Sequence, residues 1–107
     1  MQNIYGLTNK DLDVITEILQ KEDKIDEAVI FGSRAMGNYK NGSDVDIALK
    51  GKDIDAGIIS HISYRLNEET PLPYKFDIIN YHTITNDDLI EQINQTGKTI
   101  YSKSSPH

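Results

Sequence analysis

The chain contains no cysteine, which removes disulfides and thiolate metal sites and accords with an intracellular setting. It has no apolar run near the roughly 20 residues that a bilayer-spanning helix requires. Its first residues, Met1-Gln2-Asn3-Ile4-Tyr5, have neither the basic region nor the apolar stretch of a signal peptide, so the expected compartment is the cytoplasm. A basic excess is missing too. Lys and Arg number 11 against 17 Asp and Glu, a formal charge of −6, and the cations are scattered rather than clustered. That balance argues against a protein whose main task is to hold nucleic acid, and no nucleic-acid substrate is expected. His61 and His82 have no partners at zinc-ligand spacing, and His107 falls in the tail, so none receives a role.

What is present reads as a folded α/β or α+β domain. The 107 residues, 37% hydrophobic and 26% charged, suit one domain over 1–107 with a single core, and a tail from Ser102 expected to be loose. Leu12, Ile15, Ile18 and Leu19 make one apolar stripe of a helix over Asn9 to Lys21 with Thr8 as N-cap. Ala28-Val29-Ile30-Phe31 reads as a buried strand halted by Gly32, followed by a short helix at Ser33 or Arg34 and a loop from Gly37 to Ser43. Asp44 to Leu49 is expected as a second strand, Ile54 to Leu66 as a helix capped by Asp53, and Tyr74 to Asn80 as a third strand beyond the breakers Pro71 and Pro73. A last helix over Asn86 to Thr96, capped by Thr85 and stopped by Gly97, leads to a short edge strand at Thr99 to Tyr101. This order predicts a small sheet layered with helices.

Chemistry concentrates in one stretch. Gly32-Ser33 is followed, ten residues on, by Asp44-Val45-Asp46. The other acidic pairs, Asp11/Asp13 and Asp53/Asp55, fall where helices begin and are explained by the helix dipole, whereas Asp44 and Asp46 are not. On a strand those two share one face while Val45, Ile47 and Leu49 share the other. In the third strand Tyr74, Phe76 and Ile78 alternate with Lys75, Asp77 and Ile79, so Asp77 joins the acidic pair if the two strands are neighbours. Three clustered carboxylates suit hard divalent cations, Mg²⁺ or Mn²⁺. In a two-ion site about 4 Å across, such ions hold a triphosphate and activate an attacking oxygen for in-line displacement. Asp77 would also receive the nucleophile's proton. Gly32 permits a close turn, Ser33 offers a hydroxyl to phosphate, the following amides point at the same anion, and Arg34 adds charge. A P-loop is rejected because Asn38-Tyr39 stands where Lys-Ser/Thr is required. Tyr39 is a base- or partner-stacking candidate, with an ordinary surface role as the simpler reading.

Gly32-Ser33, the ten-residue spacer, Asp44-Val45-Asp46 and Phe76-Asp77-Ile78 together resemble the minimal nucleotidyltransferases of the DNA polymerase β superfamily, especially the antitoxins of HEPN/MNT toxin–antitoxin pairs. The resemblance covers most of the chain. It implies a small mixed sheet flanked by helices, the nucleotidyltransferase fold, with catalytic and metal-binding roles for Asp44, Asp46 and Asp77 and nucleotide contacts from Gly32, Ser33 and Arg34. It further implies transfer of a nucleoside monophosphate with release of pyrophosphate. In the antitoxin branch this is AMP from ATP onto a tyrosine of a HEPN ribonuclease. Met36 stands where family members commonly carry a second arginine, which touches phosphate or partner contacts rather than the metal ligands.

The expected function is therefore a protein adenylyltransferase acting as antitoxin, its site completed by a partner or a second copy. Two alternatives are a nucleotidyltransferase for a small hydroxylated molecule of the aminoglycoside type and an antitoxin that neutralises by binding alone.

Overall fold

The computed structural model describes residues 5–40 and 42–103. Helix α1 (Asn9–Gln20) opens with a reciprocal capping box: the Thr8 hydroxyl accepts from the Asp11 N–H at 3.1 Å, and the Asp11 carboxylate accepts from the Thr8 N–H at 3.0 Å. Strand β1 (Glu27–Phe31) follows, then the four-residue helix α2 (Ser33–Met36), which ends on Gly37 in the left-handed conformation. Strand β2 spans Val45–Lys50, helix α3 Ala56–Glu68 and strand β3 Phe76–Asn80. A 3₁₀ turn at Tyr81–Thr83, helix α4 (Asp87–Thr96) and strand β4 (Lys98–Ser102) complete the described chain.

The strands form one mixed sheet in the order β3-β2-β1-β4. β1 pairs antiparallel with both β2 and β4, whereas β2 and β3 run parallel across the α3 crossover. One face buries Ala28, Ile30, Val45, Ile47, Leu49, Phe76 and Ile78 against Ile15, Ile18 and Leu19 of α1 and Ile62 and Leu66 of α3. Each such side chain, removed from water, contributes about 1.5–3 kcal/mol before the entropy of ordering is set against it.

The opposite face is not purely chemical. Val29, Phe31 and Ala48 lie on it and pack beneath Ile93 of α4, so the sheet is covered by helices on both sides. Asp46 and Asp77 lie on this second face as well, half-buried and exposed respectively. His82 ties that side together, its Nε2 accepting the Gly51 N–H at 3.2 Å.

Several boundaries differ from the sequence expectation. The cap of α3 is Asp55, not Asp53, because the extended Asp55 backbone brings its carboxylate within 2.9 Å of the Ile58 N–H. The cap of α4 is Asn86, not Thr85, its amide oxygen accepting from both Asp88 and Leu89. β2 begins at Val45, leaving Asp44 just ahead of it, and β3 begins at Phe76. Tyr74 is drawn out of the strand by a 2.8 Å hydrogen bond from its hydroxyl to Asp11. Ser102 is the last residue of β4, and the Lys103 N–H donates to the Asp26 carbonyl at 2.8 Å, so the tail expected from Ser102 is anchored there; 104–107 lie outside the described residues.

Candidate active site

The parallel β2–β3 pairing sets Asp46 directly beside Asp77, and the antiparallel β1–β2 pairing sets Phe31 beside Asp46. A row of neighbouring positions therefore runs across three strands, from the end of β1 through Asp46 to Asp77, with successive strands about 4.8 Å apart. Asp44 lies exposed immediately before β2. Burial, and then the charges of Asp77 and Asp44, raise the Asp46 carboxyl above its ordinary 3.8, while the Arg34 guanidinium works in the opposite direction. Asp46 thus feels both neighbouring carboxylates across a shared surface.

Gly32 closes that row. Its φ of 78° and ψ of −155° lie where side-chain-bearing residues are strongly disfavoured, and a Cβ there would sit 2.5 Å from Asp46 Oδ2. The absence of a side chain at Gly32 is what lets the turn backbone and the Asp46 carboxylate approach this closely. Ser33 is half-buried as the first residue of α2, and first-turn amides of a helix have no carbonyl acceptor within it.

Three adjacent carboxylates and a turn with free amides fit hard divalent cations and a phosphate by donor chemistry. Among the described residues, however, no three His, Cys, Asp or Glu side chains already converge as a metal-holding group.

Arg34 occupies a different place from the phosphate contact expected of it. The residue is only 4% exposed. Its Nε and Nη2 donate to the Ser43 carbonyl at 3.2 and 2.8 Å, and its Nη1 donates to the Tyr5 carbonyl at 3.0 Å. The guanidinium lies between the rings of Tyr39 and Tyr74, 5.2 and 5.1 Å from their centroids. Gly6 packs so closely on Nη1 that it has no room for a side chain. Arg34 therefore staples the start of the chain to the end of the Gly37–Ser43 loop, one residue before Asp44. Met36, by contrast, is exposed at the end of α2. Sequence reasoning missed this stapling because its partners, Tyr5 and Tyr74, are distant in the chain and no spacing rule connects them.

Residues 13–106 match the family described as Polymerase beta, Nucleotidyltransferase. The chain belongs to that family. Solved toxin–antitoxin structures agree in fold. A toxin–antitoxin complex with AMP-PNP superposes with a TM-score of 0.72 at 22% identity, covering 88% of this chain and 75% of the other. The MntA–HepT toxin–antitoxin structure matches with a TM-score of 0.68 at 19% identity over 90% and 74% of the two chains. A complex of tri-AMPylated Shewanella oneidensis HEPN toxin with MNT antitoxin matches with a TM-score of 0.65 at 20% identity over 86% and 70%. No curated protein sequence matches this nucleotidyltransferase chain significantly.

Proposed function

We propose that this chain moves AMP from ATP onto a protein hydroxyl, a tyrosine of a HEPN-type ribonuclease partner, and so acts as the antitoxin of a two-protein pair. The observation carrying the proposal is the row in which the Gly32 turn, packed against the Asp46 carboxylate, stands beside Asp46 and Asp77 across three strands, with Asp44 adjoining. A triphosphate needs donors at one end and charge neutralisation along its length, and this row supplies both. The structural relatives crystallised with AMP-PNP and with an AMPylated HEPN toxin support the choice of nucleotide and partner.

Asp44, Asp46 and Asp77 would hold two divalent cations, Mg²⁺ or Mn²⁺, which when bound neutralise the triphosphate and polarise the reacting oxygens. The Ser33 hydroxyl and the first amides of α2 bind the phosphates away from the acceptor. Gly32 allows the nucleotide to approach Asp46 without meeting a side chain. Asp77, exposed on the edge strand β3, accepts the proton of the acceptor hydroxyl. One bond forms between the acceptor oxygen and the α-phosphorus, the bond from that phosphorus to the bridging oxygen breaks, and pyrophosphate leaves. Arg34 acts from below, by fixing the loop that ends at Asp44.

The test is incubation of the full chain with Mg²⁺, α-labelled ATP and host lysate beside an Asp77→Asn control. A single labelled protein band dependent on Asp77 supports the proposal, whereas label confined to small molecules favours an aminoglycoside-type acceptor. The unconverged carboxylates favour one further reading, an antitoxin that neutralises by binding alone. Neutralisation of the partner that survives joint Asp44→Asn and Asp46→Asn substitution, in a variant that still folds, would establish that reading.

A further inference from the structure

The row of site residues has a direction. The proposed phosphate-binding turn at Gly32 and Ser33 follows β1, Asp46 is on β2 and Asp77 on β3, and β3 is one of the two edges of the sheet formed by the described residues, β4 being the other. In-line displacement places the leaving pyrophosphate and the attacking hydroxyl on opposite sides of phosphorus. With the triphosphate anchored at the β1 end, the acceptor must arrive from beyond Asp77, at the outer edge of β3.

An open groove of about 800 Å³ lies at that edge, between β3 and α3, and Asp77 is part of its lining. Ile59, Tyr64, Pro73 and Tyr74 give it apolar and aromatic walls, and Tyr64 is 56% exposed. Backbone groups of β3 face it as well. The Phe76 N–H and C=O turn outward and are taken by the Asn67 side-chain amide at 2.8 and 3.0 Å, so that Asn67 imitates one residue of an added strand. A residue on a parallel strand sends its N–H and C=O to the same side, and the side alternates along the chain. Ile78, two residues on and also lining the groove, therefore offers the next outward pair.

We propose that this groove is the acceptor entrance: an extended polypeptide segment of the partner lies along β3 as an added strand, paired at Ile78, and presents a tyrosine hydroxyl to Asp77. The proposal rests on the nucleotidyl-transfer reading above and specifies how that site receives its substrate. Continuity with Asp77 brings any occupant to the reacting centre. The apolar walls, on the α3 side of the edge, suit side chains that flank the tyrosine on an added strand, whose alternation turns the tyrosine itself toward the Asp77 face, and edge pairing supplies affinity through main-chain hydrogen bonds.

The probe is an acetylated lysine-valine-threonine-tyrosine-valine-lysine amide, incubated with the full chain, Mg²⁺ and α-labelled ATP. Calorimetry with Mg²⁺ and AMP-PNP serves as an independent readout. Ser60→Arg fills the groove from an exposed position on α3 that has no part in the metal or phosphate site. Expected is a fall of about tenfold or more in peptide labelling, carried by KM for the peptide, with AMP-PNP affinity unchanged. Backbone N-methylation along the peptide should impair labelling at every second position, the signature of strand pairing.

Unchanged labelling in the Ser60→Arg variant would overturn the proposal, as would N-methylation effects without the two-residue period. So would a wild-type chain that binds AMP-PNP and modifies a folded protein but never this peptide. Failure of the wild-type chain to bind AMP-PNP with Mg²⁺ would instead defeat the underlying nucleotidyl-transfer reading.

Discussion

Two carboxylates, Asp11 and Asp46, lie on opposite sides of the fold and are treated oppositely by it. At Asp11, burial pushes the carboxyl upward, but the Thr8 backbone, the Tyr74 hydroxyl and the Thr8 hydroxyl outweigh it and hold the group below its ordinary 3.8. At Asp46, burial and two neighbouring carboxylates act together, and the group is raised. Asp11 is a structural acid, supplied with donors on the face where α1 and α3 close the large core. Asp46 is left short of donors on the face that α4 covers only in part. A folded protein that keeps an acid in such surroundings gives up stability there, and the deficit is what a bound cation can relieve.

The largest effect expected is on chemistry at Asp46. Asp46→Asn should lower AMP transfer by about a thousandfold or more, measured as label incorporated per minute, because it removes one of the three carboxylates that would hold the cations. In the absence of metal the same variant should melt at a higher temperature than the parent, since a repelled charge is gone. A lower melting point without metal would break the contrast with Asp11.

Next comes Gly32→Ala. It forces a side chain into a positive-φ position against Asp46, and a cost of about 1–3 kcal/mol in stability together with a marked loss of ATP binding is expected, read by denaturant melts and calorimetry.

The two cores can be compared by cavity formation. Ile47→Ala, in the fully enclosed core between the sheet and α1 and α3, should cost about 3–4 kcal/mol in urea unfolding. Ile93→Ala, in the smaller cluster under α4, should cost about 2 kcal/mol because its surroundings can collapse more readily. Equal losses would mean that α4 is as firmly packed as the opposite side.

The pH dependence separates the acids by sign. A raised Asp46 means that the folded state holds its proton more tightly than the unfolded chain. Its ionisation therefore costs stability as pH rises from 3.8 through its folded value, and the cost is fully present above that. The melting advantage of Asp46→Asn without metal should accordingly shrink as pH falls through this range. Asp11 behaves in reverse: its lowered carboxyl contributes stability above 3.8 that is lost as pH falls through its folded value, so Asp11→Asn should be destabilising at pH 7 and nearly neutral in strong acid. The smallest effect expected is Thr8→Ala, about 1 kcal/mol, from loss of the cap that faces Asp11.

Much of this architecture was legible in the residues themselves. The stripe of Leu12, Ile15, Ile18 and Leu19 and the alternation around Phe76, Asp77 and Ile78 repeat with periods set by the backbone, and the Thr8 cap acts within four residues. Element types and the common facing of Asp46 and Asp77 follow from such short-range geometry. The caps at Asp55 and Asn86 were displaced from Asp53 and Thr85 because adjacent polar residues compete for the same amides, and only the backbone angles select between them.

By itself, then, the amino-acid sequence determined which segments are helix or strand and which side chains within a strand share a face, and it singled out Gly32, Ser33, Asp44, Asp46 and Asp77 as candidates, since each of these depends on periodicity and local pattern. The tertiary structure alone decided that β2 and β3 are parallel neighbours in the register that pairs Asp46 with Asp77, that Arg34 is spent on the carbonyls of Tyr5 and Ser43, and that a groove opens beside Asp77. Those contacts join residues far apart in the chain, and they form only when burial of the whole core outweighs the entropy of closing the loops between them.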